Sequence, residues 1–179
     1  MERMEQKILR EGKVLPGGIL KVGSFLNQQI DTAFLAEIGQ EVARLFEDSG
    51  VTKILTIESS GIAIAASVGM AMGVPLVFAK KHKTSNVDGS VYSTVVHSYT
   101  HNTDYTVVVS RDYLLPTDKV LLVDDFLANG KALLGLIELV HQAGAKGVAC
   151  RMSMASPSAF WVLTSMRTTS EAMPLTARV

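Results

Sequence analysis

The chain has 179 residues, 47% of them apolar and 19% charged, with a formal net charge of zero. That length suits one domain with a real hydrophobic core, and the balanced charge excludes a broad basic surface for nucleic acid or an anionic membrane. A single cysteine, Cys150, excludes an intrachain disulfide and a thiol metal cluster, which is consistent with a reducing cytoplasm.

The opening stretch "MERMEQKILREGKVL" is charged and lacks a continuous apolar segment, so it predicts no secretory signal. No run is long and apolar enough to span a bilayer. Residues 2–11 predict a short amphipathic helix with Met4, Ile8 and Leu9 on one face, broken by "LPGG". "ILKVGSFLNQQID" has no clean period. Asp31 is placed to cap a helix running to about Asp48, with Phe34, Leu35, Ile38, Val42, Leu45 and Phe46 as its buried stripe. Lys53 to Ile57 predicts a buried strand that opens into the turn "ESSG", and "IAIAASVGMAMG" a tightly packed small-residue helix. A second strand follows at Leu76 to Ala79, then a polar loop, "HKTSNVDGS". "VYSTVVHSYT" and "DYTVVVS" predict a hairpin, and "DKVLLVDD" another buried strand. "NGKALLGLIELVHQAG" predicts a helix ending at Gly144 with Leu133, Leu136, Ile137 and Val140 inward, and "AKGVAC" one more strand. This order favours an α/β fold with a mostly parallel central sheet flanked by helices. In such sheets ligands bind beyond the carboxyl ends of the strands, where "ESSG" and "DDFLANG" both lie.

The stretch "VLLVDDFLANGKALLG" carries most of the functional signal. A small-residue loop that opens a helix presents unpaired N–H groups and a positive dipole end to an anion. Alone, such a loop is an ordinary strand-to-helix turn. Asp124 and Asp125 change the balance, because carboxylates suit hydroxyls, a metal ion or a developing cation. A phosphate cradle beside two carboxylates fits a sugar phosphate. A Walker A loop is excluded, since Gly130-Lys131 is followed by Ala132, and the dinucleotide pattern GxGxxG is absent.

At these residues the chain resembles the type I phosphoribosyltransferases, which join an apolar strand, two acids and a small-residue loop. The ending "ANGKA", with "GGILKVGSFLNQQID", "TKILTIESSGIA" and "GVPLVFAKKHK", is similar to their xanthine-using branch over about residues 1–149. The resemblance implies transfer of the 5-phosphoribosyl group from 5-phosphoribosyl-1-pyrophosphate (PRPP) to xanthine, a purine-salvage reaction that releases pyrophosphate. It implies a single domain over 1–179, with a small N-terminal hood that binds the base (1–30), a core (31–149) and an atypical tail (150–179). Asp124 and Asp125 are then the catalytic acids at the ribose hydroxyls. Ala128, Asn129, Gly130, Lys131 and Ala132 hold the 5′-phosphate. Glu58, Ser59, Ser60 and Gly61 face pyrophosphate, with Lys81 and Lys83 from a closing loop, while Leu20 and Asn27 contact the base. Magnesium is carried mainly by PRPP and water rather than by a protein cage. The implied partners are small molecules and a second copy of the chain, a homodimer if the tail permits; the implied location is the cytoplasm.

Some alternatives stand beside these assignments. Serines at a helix start are common caps. Lys80, Lys81 and Lys83 also suit a solvated cluster, and Asn27 an ordinary turn. His82, His97, His101 and His141 show no ligand spacing. After Cys150 the resemblance stops: the family's Glu-Lys-Ser-Phe is missing and the tail has no period, as a shifted reading frame, a misjoined segment or real divergence would each produce. A PRPP-binding regulator or a catalytically impaired homologue is therefore the competing expectation.

Overall fold

The computed structural model describes residues 2–15, 19–82, 90–98, 103–125 and 130–149. Helix α1 (Glu2–Glu11) leads into a two-stranded antiparallel hairpin, β1 (Lys13–Leu15) and β2 (Ile19–Lys21), then a π-helical turn, Gly23–Asn27. After α2 (Thr32–Leu45) come β3 (Lys53–Ile57), α3 (Gly61–Met72) and β4 (Leu76–His82). The remaining elements are β5 (Val91–Ser98), β6 (Thr103–Ser110), β7 (Lys119–Leu122), α4 (Lys131–Gln142) and β8 (Lys146–Ala149).

Six strands form one sheet in the order β5-β6-β4-β3-β7-β8. The pairs β4–β3, β3–β7 and β7–β8 are parallel, while β5, β6 and the end of β4 form an antiparallel edge. The sheet is therefore mostly parallel, as its strand-helix-strand order predicts. Alternate side chains feed two cores. Ile54 and Leu121 face a layer completed by α2, α3, Phe25 and Leu26, whereas Leu55, Val120 and Leu122 face the layer under α4. Helices α2 and α3 meet closely enough that a Cβ at Gly39 would collide with the side chain and backbone of Ser67, whose hydroxyl donates to Leu35 O at 2.6 Å. Small residues in α3 permit this approach.

Three local expectations change. Leu9 is 84% exposed, because α1 docks through Ile8 and the stem of Lys7 instead. The Lys7 ammonium lies 5.5 Å and 5.1 Å from the Phe25 and Phe34 ring centres and pairs with Asp31 at 2.7 Å. Asp31 caps α2 as predicted, accepting from the Phe34 N–H at 3.1 Å, but α2 ends at Leu45, which is largely exposed. Phe46 turns inward, a short 3₁₀ turn (Glu47–Ser49) follows, and Gly50 closes it at φ 65°, where glycine is favoured. Strand β4 runs past Ala79 to His82, because its second half finds a new partner in β6.

The amino end of the sheet is fastened by one buried cluster. Asp118, 8% exposed, accepts from Lys53 Nζ at 2.7 Å, Thr52 Oγ1 at 3.1 Å and the Leu115 N–H at 2.8 Å. Burial pushes the Asp118 carboxyl up, but these donors outweigh it and hold it below its ordinary value. A depressed carboxyl contributes stability that is present above the ordinary carboxylate range and lost as pH falls through the lowered value. Asp118→Asn should therefore cost about 3 kcal/mol in urea unfolding at neutral pH, by leaving Lys53 without its counter-charge, and the deficit should narrow in acid.

Candidate active site

The parallel pairing of β3 with β4 and β7 brings three chain segments together at the carboxyl edge of the parallel strands. From β3 come Glu58, Ser59 and Ser60, then Gly61 at the start of α3; from β4 come Lys80 and Lys81; from β7 come Asp124 and Asp125. The Val123 N–H donates to Leu55 O at 3.0 Å, which carries the β3–β7 register to the edge of the acidic pair.

Asp125 is 8% exposed and Asp124 half-buried, and the Asp125 N–H donates to Asp124 Oδ1 at 3.0 Å. Desolvation, followed by the Asp125 charge, pushes the Asp124 carboxyl up to about 7, while the Lys81 ammonium pulls the other way. Two acids held together at low solvent access favour a positive or hydroxyl-rich ligand that relieves their repulsion.

Gly61 permits this packing. A Cβ at Gly61 would collide with Thr56 Oγ1 and lie 3.1 Å from Asp124 Oδ1. Thr56 is fully buried, and its hydroxyl finds no hydrogen-bond partner among the described residues. Ser60 occupies the position before α3 but makes no side-chain cap bond, so the capping alternative for this turn is not the arrangement observed. The Glu58 N–H donates to Ala79 O at 3.0 Å, and the Glu58 carboxylate accepts from the Lys81 N–H. The Glu58 side chain is thus engaged in tying β3 to β4. At α4, Gly130 sits at φ 75° and Leu134 donates to its carbonyl at 2.9 Å, so the helix begins at Lys131 and Ala132. The first-turn N–H groups of a helix lack intrahelical acceptors.

Among the predicted residues, Asp125 bonds to Asp124, Gly61 packs beside Asp124, and Lys81 bonds to Glu58; Ser59 and Ser60 share the turn of Glu58. Gly130, Lys131 and Ala132 open α4 after the acidic pair. Ala128, Asn129 and Lys83 lie outside the described residues, as does the tail from 150 on. Leu20 is half-buried, packs on the core with Phe25 and pairs with Val14 across the hairpin, while Asn27 is exposed at the end of the π-helical turn. Sequence reasoning missed Tyr105 and Thr56. Burial and then the Asp124 charge raise the Tyr105 phenol, and the Lys81 ammonium lies 5.1 Å from the centre of its ring. Nothing in "DYTVVVS" marks that tyrosine, since an alternating strand is a complete account of it.

Comparison with known proteins agrees with this architecture. The model of the phosphoribosyl transferase domain matches residues 27–159. A xanthine phosphoribosyltransferase from Lachnoclostridium phytofermentans is 51% identical over 145 residues, covering 81% of this chain and 75% of that one. A namesake from Limosilactobacillus fermentum is 47% identical over 148 residues, covering 83% and 76%. Among solved structures, the Giardia lamblia APRTase complexed with 9-deazaadenine superposes with a TM-score of 0.66 at 29% identity, covering 79% of this chain and 78% of that one.

Two substitutions probe the packing of the edge. Gly61→Ala should lower specific activity at least about tenfold, read beside a thermal melt that separates local displacement from unfolding. A raised carboxyl contributes stability that is complete below the ordinary carboxylate range and lost as pH rises through about 7. Asp124→Asn should therefore unfold at higher urea than the parent at about pH 8, by on the order of 2–4 kcal/mol, with the gain shrinking toward pH ~4.

Proposed function

The chain belongs to the phosphoribosyltransferase family, and from that premise we infer that it transfers the 5-phosphoribosyl group from PRPP to xanthine. The products are xanthosine 5′-monophosphate and pyrophosphate, a step of purine salvage. The close relationship to enzymes named for that base carries the reading. It also favours turnover over a PRPP-binding regulator.

The reaction leaves positive charge on the ribose carbon as pyrophosphate departs, so no covalent nucleophile is needed. Position and electrostatics supply the acceleration. Asp124 and Asp125 hold the ribose hydroxyls and stabilise the growing cation. Ala128, Asn129, Gly130, Lys131 and Ala132 receive the 5′-phosphate at the start of α4. Glu58 to Gly61, Lys81 and Lys83 form the pyrophosphate side, and Leu20 and Asn27, from a base-binding hood over 1–30, contact the purine. Among the described residues no group of three or more His, Cys, Asp or Glu could hold a metal ion. The acidic pair nevertheless fits a hard cation carried in by PRPP oxygens and water. Magnesium carried in this way, beside Asp124 and Asp125, would supply positive charge that offsets the pyrophosphate. No helix among the described residues is long and apolar enough to cross a membrane. On this reading the enzyme works in the cytoplasm, with 31–149 as its core and 150–179 as an atypical tail, and as a homodimer if that tail permits.

Incubation of the purified chain with Mg-PRPP and xanthine, guanine or hypoxanthine should yield nucleotide and pyrophosphate fastest with xanthine, measured by chromatography. PRPP binding without product for any base would instead identify a regulator. Asp125→Asn should cut kcat by a factor on the order of 10², yet change PRPP affinity only a few-fold, because its charge matters most as the cation forms. Equal losses in both would remove Asp125 from that role.

A further inference from the structure

We propose that the ring of Tyr105 is a positioning platform that holds the Lys81 ammonium in place before substrate binds, so that Lys81 is already positioned to meet a pyrophosphate group. The inference deepens the reading above and rests on it for the identity of the anion.

The placement follows from strand register. Lys81 lies opposite Val107 in the β4–β6 ladder, so Tyr105, two residues along β6, is the diagonal neighbour on the same face. The Lys81 Nζ is 5.1 Å from the Tyr105 ring centre, within the range in which an ammonium is drawn to the face of an aromatic ring. The ring is itself anchored, half-buried against the core layer that contains Val96, Val107 and Leu136. The backbone of Lys81 is fixed as well, since its N–H donates to the Glu58 carboxylate. Lys80 alternates to the opposite face, with its ammonium 6.0 Å from the Phe78 ring centre. Only one of the two adjacent lysines is therefore directed toward Tyr105.

The electrostatics agree with the geometry. The Lys81 charge acts to lower the Asp124 carboxyl, and the Asp124 charge, after burial, acts to raise the Tyr105 phenol, so all three groups share one neighbourhood. Lysine has a flexible four-carbon stem and loses rotamer freedom when it binds an anion. A ring that already restricts the stem reduces that loss. The ring face is what the proposal requires; the phenolic hydroxyl is dispensable.

Tyr105→Phe keeps the ring and Tyr105→Leu removes it. The Leu variant should raise KM for Mg-PRPP about two- to fivefold with kcat nearly unchanged, and the Phe variant should track the parent. An unchanged KM in the Leu variant, equal KM values in both variants, or a loss confined to kcat would overturn the proposal. A second readout needs no turnover: the Lys81 ε-methylene proton signal, assigned by its loss in Lys81→Gln, should be shifted upfield by the ring in the substrate-free parent and the Phe variant. It should return to the ordinary lysine position in Tyr105→Leu, or in Tyr105→Met should the Leu variant not fold. Absence of that shift in the parent overturns the proposal even in an active enzyme. A clear shift in a chain that forms no nucleotide upholds the platform and places the failure in the assigned reaction.

Discussion

Strand β3 pairs in parallel with β4 on one side and β7 on the other, and the rest of the molecule depends on that double pairing. Ile57 lies opposite Ala79, and Leu55 opposite Leu122, so three strands run in the same direction and end near one another. Glu58 and Asp124 follow the ends of β3 and β7, and Lys81 lies in the stretch of β4 that pairs with β6, so residues separated widely in sequence are delivered to one edge. Parallel pairing also requires that both faces of the sheet be covered, which α2 and α3 do on one side and α4 on the other.

The two ends of the sheet solve opposite electrostatic problems. At the amino end, Asp118 has a full set of donors from Lys53, Thr52 and Leu115, and its charge is stabilised. At the carboxyl end, Asp124 shares limited solvent access with Asp125 and is pushed up to about 7. The first arrangement resembles a fastening and the second a site held in readiness for a ligand. Under the proposed function, stability forgone at the acidic pair is available to a substrate that supplies hydroxyls and positive charge there. Gly61 and Thr56 show how closely this edge is built, since no side chain larger than hydrogen fits between the turn and the acid.

Element order was largely legible in the residues. The helix at 2–11, the Asp31 cap, the strand Lys53–Ile57 and the 91–110 hairpin are all found where local pattern places them. Local pattern was less reliable where an element's surroundings decide its extent. Leu45 and Leu9 fit apolar stripes but face solvent, because Phe46 and Lys7 do the covering. Strand β4 outruns its predicted end because β6 offers a second partner.

For the site, two acids followed by a helix start, and a serine-glycine turn after a strand, are local chemistry that a linear chain displays openly. The sequence by itself determined those chemical groups, their order and the α/β alternation that sends both turns to strand ends. Only the tertiary structure decided that Lys81 rather than Lys80 faces Tyr105, that Tyr105 lies within the field of Asp124, and that Gly61 must be bare to clear Thr56 beside Asp124. The reason is physical: which face a strand residue occupies, and what it meets there, is set by the register of a partner strand distant in sequence.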